Sequence, residues 1–186
     1  NKGDFAMTLY RHWTDGAQEL FNTPLVAQMN DDNNDGKIDS LDIPDIVFVS
    51  CSWRLDHGSL HVISGKDNIE LFHVDQDFLE ATETPAVGDI NGDGLNEIIV
   101  YGSIGEWGWS KKLICYSNTG IKLWESDSVT TGSMGWCYSG VTLADLDHDG
   151  KSEIIWGRNV LDYNGKLKWP QSVNLDFCPS VVGDIN

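Results

Sequence analysis

The segment DINGDGLNE, residues 89–97, places Asp89, Asn91, Asp93 and Glu97 at its first, third, fifth and ninth positions, with Gly94 at the sixth. Carboxylates held this close repel one another, and a cation set among them removes the repulsion. A hard cation such as Ca²⁺ takes about six to eight oxygen ligands, which alternating Asp and Asn around a glycine can supply from one tight loop. A solvated Asn/Asp/Gly turn would account for a single copy equally well. It does not account for recurrence. DLDHDGKSE repeats the spacing with Asp145, Asp147, Asp149, Gly150 and Glu153, and DDNNDGKID repeats it with Asp31, Asn33, Asp35, Gly36 and Asp39. A further copy begins at Asp184 and Asn186, where the sequence stops. The recurrence predicts three calcium loops and the start of a fourth.

The segments around these loops share one grammar. A short apolar run comes first (TPLVAQM, TPAVGDI, SGVTLADL, PSVVGDI), then the acidic loop, then a β-branched run (DIVFVS, EIIVYG, EIIWGR). Two more strand-length runs follow, SLHVISG, KLICYSN or NVLDYNG and then IELFHV, IKLWES or KLKWPQ. Such runs, rich in Val, Ile, Leu and aromatics and bounded by Gly, Asn, Asp and Ser, read as strands. SGKDN, SNTG and NG between the last two runs read as hairpin turns. No helical period persists.

Four antiparallel strands in units of about 40 to 60 residues predict all-β propeller blades. Separate β-sandwiches would need roughly 100 residues each. The predicted divisions are residues 1–22 as strands of a preceding blade or closing segment, 23–80 as a blade with an enlarged acidic loop, 81–136 and 137–178 as blades, and 179–186 as the start of the next. Propellers close with about four to eight blades, so the sequence reads as a fragment of a larger propeller.

Charge narrows the function. Against 12 Lys and Arg stand 29 Asp and Glu, a net charge of −17, which argues against a nucleic-acid partner because phosphates need clustered cations. No apolar run reaches the length of a membrane span. The four cysteines, Cys51, Cys115, Cys137 and Cys178, form no CxxC pair and are compatible with buried thiols or with one or two disulfides.

The stretch PAVGDINGDGLNEIIV resembles the FG-GAP/VCBS repeat of integrin α-like β-propellers, and the resemblance extends over almost everything from Thr23 onward. The Phe-Gly and Gly-Ala-Pro signatures that name the family are absent, which sets the chain nearer the bacterial type of repeat than the integrins. The resemblance implies that the loop joining each blade's first two strands holds Ca²⁺ as a structural pin. It assigns ligands to Asp89, Asn91, Asp93, the Leu95 carbonyl and Glu97, and to Asp145, Asp147, Asp149, the Lys151 carbonyl and Glu153. In the first loop it assigns Asp31, Asn33, Asp35, the Lys37 carbonyl and Asp39. Asp42 follows at the twelfth position, so that this loop resembles a full EF-hand or dockerin loop.

Loops after the second and fourth strands should emerge at the opposite end of the blades. There the sequence places Trp53, Trp107, Trp109, Trp136 and Tyr138, half of its eight tryptophans among them. They suit stacking on a carbohydrate or anchoring a protein partner, or equally filling gaps between blades. Trp124, Trp156 and Trp169 fall in strands and read as packing residues. The five histidines show no ligand spacing, and no nucleophile, phosphate loop or triad is visible in sequence. Two function classes fit. One is a non-enzymatic extracellular module for adhesion or for binding a protein or carbohydrate partner. The other is the propeller of a secreted polysaccharide-degrading enzyme, as in the rhamnogalacturonan lyases. A secreted or cell-surface location follows from weak calcium loops that only millimolar calcium would fill.

Overall fold

The computed structural model describes residues 19–52, 57–104, 110–127, 129–130, 140–157, 159–169 and 182–183. Among the described residues there are strands and turns and no helix. The all-β, antiparallel expectation holds. β1 (Leu25–Ala27), β2 (Asp45–Cys51), β3 (Gly58–Ile63) and β4 (Glu70–Leu79) form one antiparallel meander. β5 (Ala86–Gly88), β6 (Glu97–Ile104), β7 (Ser110–Tyr116) and β8 (Lys122–Glu125) form a second, and β9 (Val129–Thr130) pairs with the start of β7. β10 (Val141–Ala144), β11 (Glu153–Trp156), β12 (Asn159–Leu161) and β13 (Leu167–Trp169) form a third. A single pairing, Leu79 with Gly102, ties the long β4 to β6.

The three sheets pack face to face in chain order. Val47, Val49, Leu60 and Val62 of the first sheet meet Ile98, Val100, Ile114 and Tyr116 of the second. The opposite face of the second sheet, Ile99, Tyr101, Leu113 and Cys115, meets Ile154, Trp156 and Leu161 of the third. The middle sheet is therefore buried on both sides. That is why EIIVY and LICY read as unbroken apolar runs instead of alternating ones. Each fully buried Ile or Leu contributes about 1.5–3 kcal/mol relative to exposure. Tyr101 and Trp156 meet edge to face across the second interface, with centroids 5.7 Å apart. Cys51 and Cys115 are free thiols in these cores, and burial pushes the Cys115 thiol well above its ordinary range.

Two features recur from sheet to sheet. A β-bulge interrupts each fourth strand, between the pairs Val62–Phe72 and Ile63–Glu70, Cys115–Trp124 and Tyr116–Lys122, and Val160–Trp169 and Leu161–Leu167. The extra residues are Leu71, Leu123 and Lys168, and a bulge of this kind re-aims its side chain. The residue after each bulge is aromatic. The Phe72 ring lies where a Cβ on Gly120 would come within 2.6 Å, and the Trp124 ring where one on Gly165 would come within 2.5 Å. Both glycines have positive φ, +80° and +76°, so any other residue there would be strained as well as blocked. Phe72 of the first sheet and Trp124 of the second thus each seat the hairpin glycine of the sheet that follows. Trp169, the third in the series, is 54% exposed, so the expectation that it packs inside the structure is corrected. Trp156 is buried and Trp124 half-buried, as strand residues between sheets should be.

Candidate metal centres

All three acidic loops connect the first and second strands of their sheets, and they share one backbone. The aspartate at the first position ties the loop down by accepting from the amides at the fifth and sixth. These distances are 3.2 and 2.8 Å for Asp31, 3.2 and 2.9 Å for Asp89, and 3.1 and 3.0 Å for Asp145. Asp35, Asp93 and Asp149 then accept from the amides of Lys37, Leu95 and Lys151 at 2.8–2.9 Å. Gly36, Gly94 and Gly150 take φ of +88°, +87° and +85°. The fourth position is also left-handed whatever occupies it: Asn34 at +62°, Gly92 at +81°, His148 at +59°. His148 is exposed there.

The side chains converge as a consequence. Asp145, Asp147 and Asp149 each bring a carboxylate oxygen within 4.8 Å of the others. Glu97 and Glu153 begin the second strands, are almost fully buried, and accept from the Ile90 and Leu146 amides at 3.0 and 2.8 Å. Burial raises the Glu97 carboxyl above its ordinary range, and the charges of Asp93 and Asp89 add to the rise against the Ile90 hydrogen bond. An all-oxygen set of this kind can hold a hard cation and offers nothing to a soft one.

Loops two and three balance charge differently. In the second, Asn91 Nδ2 lies 3.0 Å from Asp93 Oδ2 and 3.3 Å from Glu97 Oε1. In the third, Asp147 stands at that position and cannot donate. Lys168 Nζ fills the role, 2.7 Å from Asp147 Oδ2 and 2.8 Å from Glu153 Oε1. This ammonium holds the Asp147 carboxyl below its usual range and is itself pushed well above the ordinary lysine range. A tethered cation standing among the acidic oxygens shows that the third loop accommodates positive charge at that place. Lys151 turns away from the loop, its Nζ 4.0 Å from the Tyr163 ring centroid.

The first loop is built differently at its end. Asp39 accepts from Leu41 at 2.8 Å, and the buried Asp42 carboxylate accepts from the amides of Asp32, Asn33 and Asp39 at 3.0, 3.3 and 2.9 Å. The Asp39 amide is the largest influence holding the Asp42 carboxyl below its ordinary range. The place of Glu97 and Glu153 in the strand register is taken by Asp45, opposite Ala27 as Glu97 is opposite Gly88 and Glu153 opposite Ala144. Asp45 is fully buried and accepts from Met29 at 2.9 Å and Gly65 at 3.2 Å. Sequence reasoning passed over Asp45, although DIV aligns with EII. It also passed over Lys168, although KLKW has lysine where IELF and IKLW have leucine.

The loops touch in series. Ser152 donates to the Ile90 carbonyl at 3.0 Å, a Cβ on Gly92 would lie 2.9 Å from the Gly150 oxygen, and Asn96 Nδ2 reaches the Gln28 carbonyl at 3.0 Å. Asp184, Asn186, Trp53, Trp107, Trp109, Trp136 and Tyr138 lie outside the described residues.

Residues 89–156, from the second loop through the third to the end of β11, match the family model described as the FG-GAP-like repeat. The resemblance drawn from PAVGDINGDGLNEIIV is borne out on this span, and both regular acidic loops of the FG-GAP-like repeat lie inside it. The crystal structure of the V. cholerae biofilm matrix protein Bap1 is similar, with a TM-score of 0.66 and 29% sequence identity. The similarity covers 87% of this chain and 26% of that one, so the chain spans about a quarter of the length of Bap1. No curated protein matches it.

A second polar cluster lies on the first sheet. Ser50 Oγ is 2.8 Å from His61 Nε2, His61 Nδ1 is 2.6 Å from Glu70 Oε1, and His73 Nδ1 is 3.2 Å from Glu70 Oε2. Sequence spacing missed it because its members come from three strands. Burial raises the Glu70 carboxyl, but the two imidazoles outweigh it and hold it below its usual range. Ser50 and His61 are buried while Glu70 is one-third and His73 about half exposed, so the chain of contacts cross-links three strands from the core to the surface.

Proposed function

We propose that the chain supplies consecutive blades of a calcium-stabilised β-propeller in an extracellular, adhesion-type repeat protein that works by binding. The observation that carries this reading is the threefold recurrence of one aspartate-loop geometry at the same connection of each sheet. Calcium would be held in the second loop by Asp89, Asn91, Asp93 and Glu97 and in the third by Asp145, Asp147, Asp149 and Glu153. In the first it would be held by Asp31, Asn33 and Asp35 with Asp39 or Asp42. It would supply positive charge that pins a hairpin otherwise splayed by its own carboxylates. The blade reading is supported by three four-stranded meanders stacked in chain order and by Trp169, whose exposed ring is the open member of the aromatic–glycine series. The extracellular and adhesive reading is supported by the likeness to a biofilm matrix protein. It is also supported by the expected weakness of such loops, about 10⁻⁴ to 10⁻³ M, which requires millimolar calcium. Isothermal titration calorimetry with CaCl₂ and MgCl₂ tests the proposal. Saturable calcium uptake in that affinity range, with magnesium far weaker, is expected, and no calcium uptake overturns it.

A further inference from the structure

The third loop carries one more carboxylate than the second: Asp145, Asp147, Asp149 and Glu153, against Asp89, Asp93 and Glu97. The excess is met by Lys168, placed at the bulge of β13 so that its ammonium bridges Asp147 and Glu153 at 2.7 and 2.8 Å. At the equivalent bulges the first and second sheets have Leu71 and Leu123. We infer that Lys168 is a built-in competitor for calcium in the third loop, holding that loop together without metal and making it fill after the second. The inference rests on the calcium reading above and adds an order of filling to it.

Lys168 and a bound cation would compete for the same oxygens. A cation entering the third loop must take oxygens of Asp147 or Glu153 from an ammonium tethered beside them, and tethering gives that ammonium a high effective concentration. Charge-assisted hydrogen bonds of this length are among the stronger ones, although the Lys168 side chain is one-third exposed and solvent weakens them. Lysine suits the role, since its flexible stem lets a point charge swing out once metal arrives. In the second loop the corresponding contacts come from the neutral Asn91 amide, itself one of the residues proposed to hold the metal. Nothing charged has to leave. Metal-free, the second loop keeps its carboxylate repulsion, while in the third Lys168 offsets it.

The test is a CaCl₂ titration of the intact protein labelled with ¹⁵N-glycine, following the Gly94 and Gly150 amides separately. In the wild type Gly94 should shift at lower calcium than Gly150. Lys168→Met should lower the Gly150 midpoint by about three- to tenfold and leave Gly94 in place. The reciprocal Leu123→Lys should raise the Gly94 midpoint, which keeps the idea testable if Lys168→Met does not fold. Thermal unfolding gives an independent readout: Lys168→Met should melt earlier than wild type in EGTA and not in saturating calcium. A responsive Gly94 with an unchanged Gly150 midpoint in Lys168→Met, or an unchanged Gly94 midpoint in Leu123→Lys, overturns the role of Lys168 and leaves the calcium reading standing. If neither glycine responds up to roughly 10 mM calcium, well above the expected affinity, the calcium reading falls and this inference with it.

Discussion

The second and third acidic loops have the same backbone and different electrostatics. Their first-position aspartates accept the same two amides, and their glycines share φ to within a few degrees. Yet Asn91 occupies the third position of one and Asp147 that of the other, and among the described residues it is Asp147 that has a lysine, Lys168, beside it. The loop's shape is thus set by Asp-to-amide hydrogen bonds and left-handed turns. Its charge is adjustable at the third position and at the bulged residue of the fourth strand. Shape and charge are separable here, and each can be tested alone.

The largest effect should come from removing the footing the two loops share. Trp156 is 1% exposed and packs against Tyr101 across the second and third sheets. Trp156→Ala should cost about 3–5 kcal/mol in urea unfolding, with or without calcium. A calcium-dependent cost would mean that loop and core are not separate contributions.

Next in size is Asp93→Asn. It removes a carboxylate proposed to bind metal while keeping the side chain's shape. In millimolar calcium it should lose about 1–3 kcal/mol of the stabilisation that ligand binding supplies. In EGTA it should melt no lower than the wild type, because one repelling charge has gone. A loss of equal size in both conditions would assign Asp93 to the fold alone.

Much of this was legible beforehand, for physical reasons. Aspartate spacing and the sixth-position glycine specify the loop locally, since the hydrogen bonds accepted by each first-position aspartate span at most five residues. The strands were legible because β-branched runs and Gly/Asn punctuation are local as well. What sequence spacing could not show was anything assembled across strands. Lys168 acts on Asp147 from 21 residues away, and the Ser50–His61–Glu70 chain joins β2, β3 and β4. Asp45 was hidden by the inserted residues, which move the acidic motif out of step with the strand register. Trp169 read as a packing residue because it falls in a strand, but a strand has two faces and this ring is 54% exposed.

A finer test of the comparison exchanges the third-position residues. Asn91→Asp gives the second loop a fourth carboxylate with no lysine to meet it, and should destabilise the protein in EGTA by about 1 kcal/mol. Calcium should reverse this, since added ligand charge favours the cation. Asp147→Asn should have the weaker effect in EGTA, because Lys168 keeps Glu153 as a partner.

The smallest expected effect lies away from the loops and serves as their control. Despite its burial, the two imidazoles hold the Glu70 carboxyl below the ordinary glutamate range in the folded state, so its contribution is present above the unfolded value and is lost as pH falls through the lower folded value. Glu70→Gln should flatten the acid limb of a profile of unfolding free energy against pH by less than about 1 kcal/mol. That change should be the same in calcium and in EGTA.

Whether the aspartate loops hold calcium is decided by a crystal grown in millimolar CaCl₂. Anomalous difference peaks are expected inside residues 89–97 and 145–153, each with oxygen distances of about 2.3–2.6 Å and with Lys168 Nζ displaced from Asp147. Loops that keep their present hydrogen bonds with no peak among the carboxylates, in crystals where calcium is plentiful, would contradict it.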